Sequence, residues 1–443
     1  MTEKGIVILG GGMAGLGAAH KLRENGLGSK VFDKQAYFGG QTASFTKDGW
    51  TFDIGPHISF SKDETIKELL ADGVDGKFLE IKAGVNNYWQ GHWIKHPAQV
   101  NLHGLPSDLV TTIIIEFIEA SKKQTDKSKI KTFKEWLYAS FGETFAETFP
   151  MKYGIKFHTV HADKMSIEWL GPRLYQPQMK EIIYGAVSPQ SPDVHYISDF
   201  RYPENGGYVS FLKKFKQKSN ISLSSKVVAI DPEVKNVTFE DGKIVRYEHL
   251  ISSLPLPVII PMIKGIPENV LKASQELTCS NCVLVNIGID RADILDAVWT
   301  YFYDEDIIFT RLNFPHVQSP NNVPENYGSI QAEIYFSDKY KPLELKPEEF
   351  VDRTIADLKK CGLIKEGDKI LYKETRQIEY ANVIFDLDTK KNTKIVHDYL
   401  DEIGVEYCGR YGEWAYIWTD QSFRSGMNAG KNIVRRIEKE NNK

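Results

Sequence analysis

The first apolar run of the chain, residues 6–9, is short and unbroken, as expected of a parallel strand that is buried on both faces. Three glycines follow this run in the spacing G-x-G-x-x-G: Gly10, Gly12 and Gly15. Small residues then continue a helical pattern to Leu22, and a second apolar strand ends at Asp33. This order of strand, glycine turn, helix and strand predicts a Rossmann-like dinucleotide-binding unit.

The residues around this turn are candidate cofactor ligands for separate physical reasons. The start of the helix, with Met13 and Ala14, presents free N–H groups and the positive end of the helix dipole to a phosphate. Asp33 provides a carboxylate for ribose hydroxyls, and a carboxylate rather than an arginine argues against a 2′-phosphate. A glycine-rich turn without a ligand is the alternative, which the combination of these features disfavours.

Further along the chain, helical spacing covers residues 109–122, 133–141 and 143–153, which are rich in aromatic side chains. Strand patterns surround the Gln90-Gly91 and Asp241-Gly242 turns, and a last helix is predicted over residues 422–438. Gly426 and Gly430 on that helix indicate close packing, either on a dinucleotide or on another helix.

Composition excludes several classes of protein. The chain has 55 Lys and Arg against 59 Asp and Glu, a formal net charge of −4, so nothing suggests a nucleic-acid partner, and its lysine-rich runs are interpreted as solvated helix faces. Prolines interrupt the most apolar later stretch, residues 250–266, so no membrane span is expected, and the early first strand leaves no room for a signal peptide. Four cysteines agree with a cytoplasmic protein, and Cys279 and Cys282 are interpreted as structural thiols.

A second close backbone approach is predicted just after Asp33, where Gly39 and Gly40 precede Gln41, and a strand then leads to Gly55-Pro56-His57. Here the sequence resembles the FAD-binding superfamily of amine oxidases, protoporphyrinogen oxidase and UDP-galactopyranose mutase. The resemblance implies that the glycine pair passes the FAD diphosphate, that His57 lies beside the flavin, and that Val227 meets the adenine through its backbone. FAD is therefore expected rather than a nicotinamide cofactor, which would not need the second glycine pair.

Four later segments narrow the resemblance to the UDP-galactopyranose mutase family. They preserve the order of that family's motifs over nearly the whole chain: residues 93–99 with a proline before Gln99, residues 164–173 with Trp-Leu-Gly-x-Arg ending at Arg173, residues 299–302 followed by Arg311, and residues 409–416 followed by Asp420 and Gln421. Ala98 stands where the family presents an aromatic residue to the base, so a nucleotide other than uridine stays open.

The resemblance implies a role for each matched residue. The candidate catalytic residues are His57, Arg173 and Arg311, and the two arginines are expected to bind a diphosphate because guanidinium groups bind its oxygens bidentately. The candidate substrate ligands are Gln99, Trp299, Tyr301, Tyr380, Tyr416 and Asp420. The expected cofactor ligands near the flavin are Arg410, Asp420, Gln421 and Ser422, in addition to the glycine segments, and no metal ligand is expected.

The predicted fold is α/β, with a Rossmann-like FAD-binding domain, an inserted helical module and a mixed β-sheet substrate domain. The FAD-binding domain is assigned to residues 1–82, 206–262 and 403–443. The helical module is assigned to residues 104–182, and the substrate domain to residues 83–103, 183–205 and 263–402.

The resemblance implies an isomerase that interconverts pyranose and furanose forms of a nucleotide sugar for cell-surface polysaccharide biosynthesis. In that family reduced FAD is the active form, its N5 atom attacks the anomeric carbon, and NAD(P)H or another reductant is needed. The alternative is a redox flavoenzyme of the amine oxidase or protoporphyrinogen oxidase type. The oligomeric state stays open.

Overall fold

The computed structural model describes residues 2–123, 126–171, 174–190, 194 and 197–442. The strands, numbered along the chain, are β1 (Thr2–Leu9), β2 (Leu27–Phe32), β3 (Ser44–Lys47), β4 (Trp50–Asp53), β5 (Phe78–Lys82), β6 (Val85–Trp89), β7 (His92–Lys95), β8 (Asp199–Pro203), β9 (Asn220–Ser222), β10 (Val227–Asp231), β11 (Asn236–Phe239), β12 (Ile244–Arg246), β13 (His249–Ser252), β14 (Cys279–Ile289), β15 (Trp299–Phe302), β16 (Arg311–Asn313), β17 (Gly328–Phe336), β18 (Ile370–Val383) and β19 (Val405–Tyr407). The α-helices are α1 (Met13–Glu24), α2 (Glu64–Gly73), α3 (Ser107–Lys122), α4 (Phe133–Phe141), α5 (Glu143–Thr148), α6 (Pro150–His158), α7 (Met179–Val187), α8 (Lys213–Gln217), α9 (Leu256–Ile259), α10 (Glu268–Glu276), α11 (Pro315–Gln318), α12 (Phe350–Lys360), α13 (Thr389–Glu402), α14 (Gly409–Gly412) and α15 (Thr419–Asn441).

The first apolar run lies in a five-stranded parallel sheet of order β19-β13-β1-β2-β9. Ile8 is aligned with Val31 on one side and with Ile251 on the other, so the run is central and buried on both faces. Helices α1 and α15 cover one face, and the core against the other face includes the three-stranded sheet β10-β11-β12. The predicted Rossmann-like unit is therefore confirmed.

Helices α1 and α15 cross closely because glycines remove side chains at their contact. A Cβ on Gly426 would lie 1.8 Å from the carbonyl oxygen of Ala14, and one on Gly17 would lie 2.4 Å from that of Phe423. Gly430 likewise faces Ala18. Of the two interpretations of the Gly426 and Gly430 spacing, helix-on-helix packing is the one that the structure supports.

We expect Gly426→Ala to destabilise the protein by about 1–3 kcal/mol, because the added methyl overpacks the crossing against a backbone atom. This loss exceeds the gain of up to about 1 kcal/mol from the better helix propensity of alanine. Urea unfolding followed by circular dichroism measures the difference, and Asn428→Ala, at an exposed position of the same helix, is the control. Equal stability of the two variants would contradict this account of the crossing.

The second large sheet has seven strands in the order β18-β14-β17-β16-β15-β6-β7 and mixes parallel with antiparallel pairs. Strand β14 lies between β18 and β17 and is buried along nearly its whole length. It begins with the two cysteines of the C-x-x-C segment, which are free thiols: Cys282 is buried, and the Cys279 thiol donates to the Asn382 carbonyl oxygen at 2.9 Å. The mixed sheet and the structural role of these thiols agree with the prediction.

Helices α3 to α7 form the helical module around an aromatic core that includes Phe141, Phe145 and Phe149. The predicted helix over residues 143–153 is wrong in one respect, because the chain forms α5 and then starts α6 at Pro150. Proline has no N–H to continue the preceding helix but suits the first position of a new one.

Packing contacts cross the predicted domain boundaries at two places. Helix α7 continues past residue 182 to Val187 and packs on the turn Ala98–Val100. Helices α10 and α13, assigned by sequence to the substrate domain, contribute Val270 and Val396 to the core that also contains Val7 of the parallel sheet. The predicted domain boundaries stay a prediction.

Candidate functional site

The turn after β1 has the geometry that its glycines predict. Gly10 has φ +100°, and its N–H donates to the Phe32 carbonyl oxygen at 2.8 Å, so it joins the ends of β1 and β2. A Cβ on Gly15 would lie 1.8 Å from the Gly10 carbonyl oxygen, so glycine is required there for the close packing of helix on turn. Met13 and Ala14 are buried in the first turn of α1.

Gly12 is different, because no residue that the structure describes requires glycine at this position. Its φ is −84°, which other residues adopt, and a Cβ would find no atom of the described chain closer than 3.6 Å. The space beside Gly12 is thus open to a group other than protein, as expected where a pyrophosphate approaches the backbone. On this observation the residues of the turn fit a dinucleotide cofactor.

The second glycine pair reaches the same place. The Gly39 N–H donates to the Gly11 carbonyl oxygen at 2.9 Å, and Gly39 and Gly40, both with positive φ, lie directly beside Gly12. Gln41 follows in a short 3₁₀ turn and lines the central cavity described below. The two glycine segments predicted from sequence are therefore adjacent in space.

Asp33 is buried at the end of β2 and accepts two backbone hydrogen bonds, from Gly11 at 2.6 Å and from Gln35 at 2.8 Å. Burial raises its pKa, and these hydrogen bonds oppose the rise. A carboxylate has about four lone-pair sites, so two remain for ribose hydroxyls. The Ser225 N–H donates to the Asp33 carbonyl oxygen at 2.7 Å, which places Val227, two residues further on, near the same end of the sheet.

A central cavity of about 380 Å³ is lined by the loop after β4, the seven-stranded sheet, the helical module and the segment that leads to α15. One wall is polar and contains His57, Glu333, Arg311, Arg410 and Tyr416. The wall from the helical module is aromatic and apolar, and it contains Phe133, Phe141, Phe145, Phe149, Trp169 and Leu174. The cavity thus combines charged side chains with an aromatic and apolar lining.

Arg311 lies on the polar wall, as predicted, but it is not a free cation. Its Nε atom donates to one carboxylate oxygen of Glu333 and its Nη2 atom donates to the other at 2.9 Å. Burial would lower the pKa of Arg311, but the adjacent Glu333 carboxylate more than offsets this effect, so the pKa is raised and the guanidinium stays charged. No sequence motif indicates Glu333, because a single carboxylate in a buried strand has no partner at a recognisable spacing.

Tyrosines surround this ion pair. Tyr153 and Tyr335, which no sequence motif identifies, line the cavity together with Tyr301 and Tyr416. Burial raises the pKa of Tyr153, Tyr301 and Tyr335, so their hydroxyls are neutral donors at pH 7. Residues two positions apart on a strand share a face, so Tyr335 lies on the same face of β17 as Glu333. This periodicity would have indicated Tyr335 if Glu333 had been recognised as a site residue.

His57 lines the cavity after a turn in which Gly55 has φ +76°. Its Nδ1 atom lies 2.9 Å from the Gly55 carbonyl oxygen, which only accepts, so we assign the proton of the neutral ring to Nδ1. Burial lowers the pKa of His57 to about 4, an effect that the charges of Arg410 and Arg311 strengthen. The ring is therefore neutral at pH 7, and Nε2 is an acceptor.

This low pKa predicts a pH dependence of stability. The unfolded chain binds a proton on His57 near pH 6.5, but the folded chain binds it only near pH 4, so stability falls as the pH decreases through this window. We expect His57→Gln to lose less stability than the wild type between pH 6.5 and pH 4, with no difference in slope above this range. Urea unfolding at a series of pH values measures this, with exposed His103→Gln as the control. Parallel curves for wild type and His57→Gln would contradict the assignment.

Arg410 and Tyr416 come from the motif before α15. The Arg410 guanidinium donates to the Ile417 carbonyl oxygen at 2.9 and 2.7 Å and to the Asn382 side chain at 3.2 Å, and it lies 5.5 Å from the Tyr416 ring. These contacts fix both side chains on the polar wall of the cavity. Their predicted roles toward the flavin and the substrate are untested and stay predictions.

Other predicted residues also line the cavity. Trp299 and Tyr301 project from β15, and Gln99 lies close by, with its amide donating to the Tyr175 carbonyl oxygen at 3.0 Å. Arg173, the other predicted diphosphate ligand, lies outside the described residues.

Four predicted ligands are not among the residues that line the cavity: Tyr380, Asp420, Gln421 and Ser422. Tyr380 packs edge-on against Tyr411, with ring centroids 6.0 Å apart. Helix α15 begins at Thr419, three residues earlier than predicted, so the last three of the four lie in its first turn. Asp420 accepts a hydrogen bond from Ser61 at 2.7 Å, and the Gln421 side chain caps the helix at the Trp418 N–H. Their roles as ligands stay predictions.

Comparison with known proteins gives matches over different parts of the chain. Residues 8–72 match the family described as the NAD(P)-binding Rossmann-like domain. The chain is 23% identical to 4,4′-diapophytoene desaturase of Staphylococcus aureus (strain Newman) over 85% of this chain and 81% of that protein. It is 25% identical to 1-hydroxycarotenoid 3,4-desaturase of Flavobacterium sp. (strain P99-3), but this match spans only 42% of this chain and 40% of that relative's length.

The structural similarity extends over nearly the whole chain. The crystal structure of reduced UDP-galactopyranose mutase has a TM-score of 0.91 at 25% identity and covers 98% of this chain and 96% of its own. A putative protoporphyrinogen oxidase from Exiguobacterium sp. 255-15 has a TM-score of 0.75 at 15% identity, with 98% and 99% covered, which shows a shared fold.

The fold, the site and these matches together support an FAD-dependent enzyme of the amine oxidase-like superfamily. Within this class, the resemblance to the UDP-galactopyranose mutase family is confirmed over the length of the chain. Among the described residues, no helix is long and apolar enough to cross a membrane, and no cluster of His, Cys, Asp or Glu has the composition of a metal site.

Proposed function

We propose that the protein is an FAD-dependent mutase that interconverts the pyranose and furanose forms of a nucleotide sugar in the cytoplasm. The observation that carries this proposal is the polar wall of the central cavity, where two guanidinium groups, Arg311 and Arg410, lie among neutral tyrosine hydroxyls. Fixed cations and hydroxyl donors suit a diphosphate, which has several anionic oxygens. The four free thiols agree with a reducing compartment.

The residues that would hold FAD are the two glycine segments, Asp33 and Val227, together with the first turn of α15. When bound and reduced, by NAD(P)H or by another donor, this cofactor supplies a nucleophilic nitrogen, N5, for the anomeric carbon of the sugar. His57 would lie beside the flavin, where its Nε2 atom is ready to accept a hydrogen bond.

The residues of the polar wall would act on the leaving nucleoside diphosphate. Arg311, held in a fixed orientation by Glu333, and the hydroxyls of Tyr301 and Tyr416 would keep the diphosphate beside the sugar, so that recombination is faster than escape. Arg173 is proposed to complete this site, as the resemblance implies. Gln99 and Trp299 would bound the space for the rest of the substrate.

The second candidate is a redox flavoenzyme that removes hydrogen from an apolar substrate. The apolar wall of the helical module favours it, and so do the matches to two desaturases. An apolar substrate, however, makes no use of the Arg311–Glu333 ion pair or of the tyrosines around it. Arg410 has only carbonyl and amide acceptors among the described residues, and because a charge without a counter-charge is costly to bury, the polar wall favours an anionic substrate and hence the mutase.

One experiment separates the two candidates. The FAD-loaded protein, reduced anaerobically with dithionite, is incubated with UDP-, dTDP- and GDP-hexoses while flavin absorbance is recorded and the ring form of the product is determined by NMR. The mutase is expected to convert at least one sugar without net oxidation of the flavin, and the unreduced protein is the control. If no sugar is converted by the reduced protein, and an apolar polyene added to the oxidised protein bleaches the flavin, the mutase is contradicted and the redox enzyme is supported.

A further inference from the structure

A second depression, of about 270 Å³, opens at the first residues of strands β2 and β9. It is separate from the central cavity, because Asp33 and the glycine turn follow the other ends of the parallel strands. We call it the basic groove and define it by four side chains: Arg23, Lys30, Lys218 and Arg246. Neither the sequence motifs nor the proposed function uses any of these residues.

The groove is formed by an irregularity between two strands of the parallel sheet. Glu3 is aligned with Gly28, but Val7 is aligned with Lys30, so three residues of β1 face Ser29 alone. Gly5 has φ +57° within this bulge, and its carbonyl oxygen accepts from the Glu248 N–H at 2.8 Å. The bulge opens the sheet at a point where β1 and β2 would otherwise pair without interruption.

The charge of the groove has one sign. No Asp or Glu is among the described residues that line it, and within the described chain none of its four cations takes part in an ion pair or a side-chain hydrogen bond. The nearby Glu24 is engaged by Lys21 at 3.0 Å and by His20 at 3.2 Å. None of the four cations forms an ion pair with a described carboxylate; Asp72, whose pKa the hydrogen bond from Lys214 lowers and the charge of Lys218 helps to lower, is paired with Lys214 at 2.8 Å instead, and the net charge of the chain is −4.

The helix dipole accounts for the positions of only two of the four cations in the basic groove. Arg23 is in the last turn of α1 and Lys218 caps α8, where cations interact favourably with the helix dipole. Lys30 and Arg246 lie on strands, for which no such effect exists. Ser29 and Asn220 add a hydroxyl and an amide between the charges, and neither side chain has a hydrogen-bond partner among the described residues.

We propose that the basic groove binds a ligand that carries two phosphate groups or a phosphate diester headgroup. Several cations that converge with neutral donors, and no carboxylate, match the several oxygens of such a group. The volume is slightly below the roughly 300 Å³ at which pockets for drug-sized molecules begin, so it suits a diphosphate or a lipid headgroup rather than a whole dinucleotide.

The test uses full-length FAD-loaded protein with inorganic pyrophosphate at low ionic strength. Hydrogen exchange is read separately for residues 5–7 and 27–30 of the groove and for residues 299–311 of the central cavity. We expect pyrophosphate to protect the groove segments, and Arg23→Gln/Arg246→Gln to require about tenfold more pyrophosphate for the same protection. The control, Lys122→Gln/Lys123→Gln, removes the same charge from the exposed end of α3 and is expected to behave as the wild type.

A second measurement distinguishes the source of the phosphate. Vesicles of phosphatidylcholine with 30% phosphatidylglycerol are sedimented with each protein. Sedimentation of the wild type but not of the groove variant supports a lipid headgroup, and protection by pyrophosphate without sedimentation supports a soluble phosphate. The proposal is overturned if the groove segments show no protection and no vesicles bind, or if the groove variant and the wild type behave alike in both measurements. Neither result depends on whether the enzyme is a mutase.

Discussion

Replacing Gly12 by alanine is expected to give a folded protein that binds FAD about 10- to 100-fold more weakly than the wild type. The added methyl has room in the protein itself, since its nearest neighbour among the described residues is 3.6 Å away. It would instead occupy the space through which the pyrophosphate approaches the backbone. Fluorescence titration of the deflavinated protein with FAD measures the affinity, and the melting temperature of the same protein without FAD measures the fold.

The matched comparison lies three residues further along the same motif. Gly15→Ala places its methyl 1.8 Å from the Gly10 carbonyl oxygen, so it is expected to lower the melting temperature even without FAD. Gly12→Ala and Gly15→Ala thus separate the glycine required by a ligand from the glycine required by packing. Unchanged FAD affinity in Gly12→Ala would contradict the assignment of the cofactor to this turn.

The second large effect is expected at Arg311. Arg311→Met removes one partner of a buried ion pair and leaves the Glu333 carboxylate without its counter-charge, which should destabilise the protein by about 3–5 kcal/mol. Arg311→Met/Glu333→Gln removes both charges and should recover most of this stability, because a neutral pair has no uncompensated charge. Urea unfolding of both variants tests this difference.

The double variant Arg311→Met/Glu333→Gln is expected to regain stability but not substrate binding. If Arg311 binds a desolvated diphosphate, both variants should lose about 2–5 kcal/mol of binding free energy for UDP, measured by calorimetry. Arg353→Met is the control. It breaks an Arg–Asp ion pair whose arginine side chain is 54% exposed, and Arg353 does not line the central cavity. A double variant that is stable and binds UDP like the wild type would show that Arg311 has a purely structural role.

Much of the fold was predictable because the decisive signals are local. The apolar run before Gly10, the carboxylate after β2 and the turns at Gln90-Gly91 and Asp241-Gly242 each depend on a few neighbouring residues. The helix boundaries that were wrong lie at Pro150, which interrupts an otherwise helical pattern, and at the start of α15. Long-range packing leaves no such local signal, since only the folded chain brings helices α10 and α13 to one core.

The candidate site was predictable to a smaller extent. Motifs identified Arg311, Arg410 and Tyr416, but they did not reveal that Glu333 neutralises Arg311 or that Tyr153 and Tyr335 complete the same wall. Those contacts join residues far apart in sequence, from β16, β17 and α6. The aromatic wall was identified only as the core of a helical module, because an aromatic residue beside a cavity has the same spacing as one in a core.

The parallel sheet places β19 next to β13, and β13 next to β1, so strands from the start, the middle and the end of the chain are neighbours. Helix α15, the last element, closes on α1, one of the first. During synthesis on a ribosome, the glycine turn therefore emerges hundreds of residues before the elements that complete its surroundings. We therefore expect a chain truncated before β19 to bind FAD more weakly than the untruncated chain, because the neighbours of β13 and α1 would be missing.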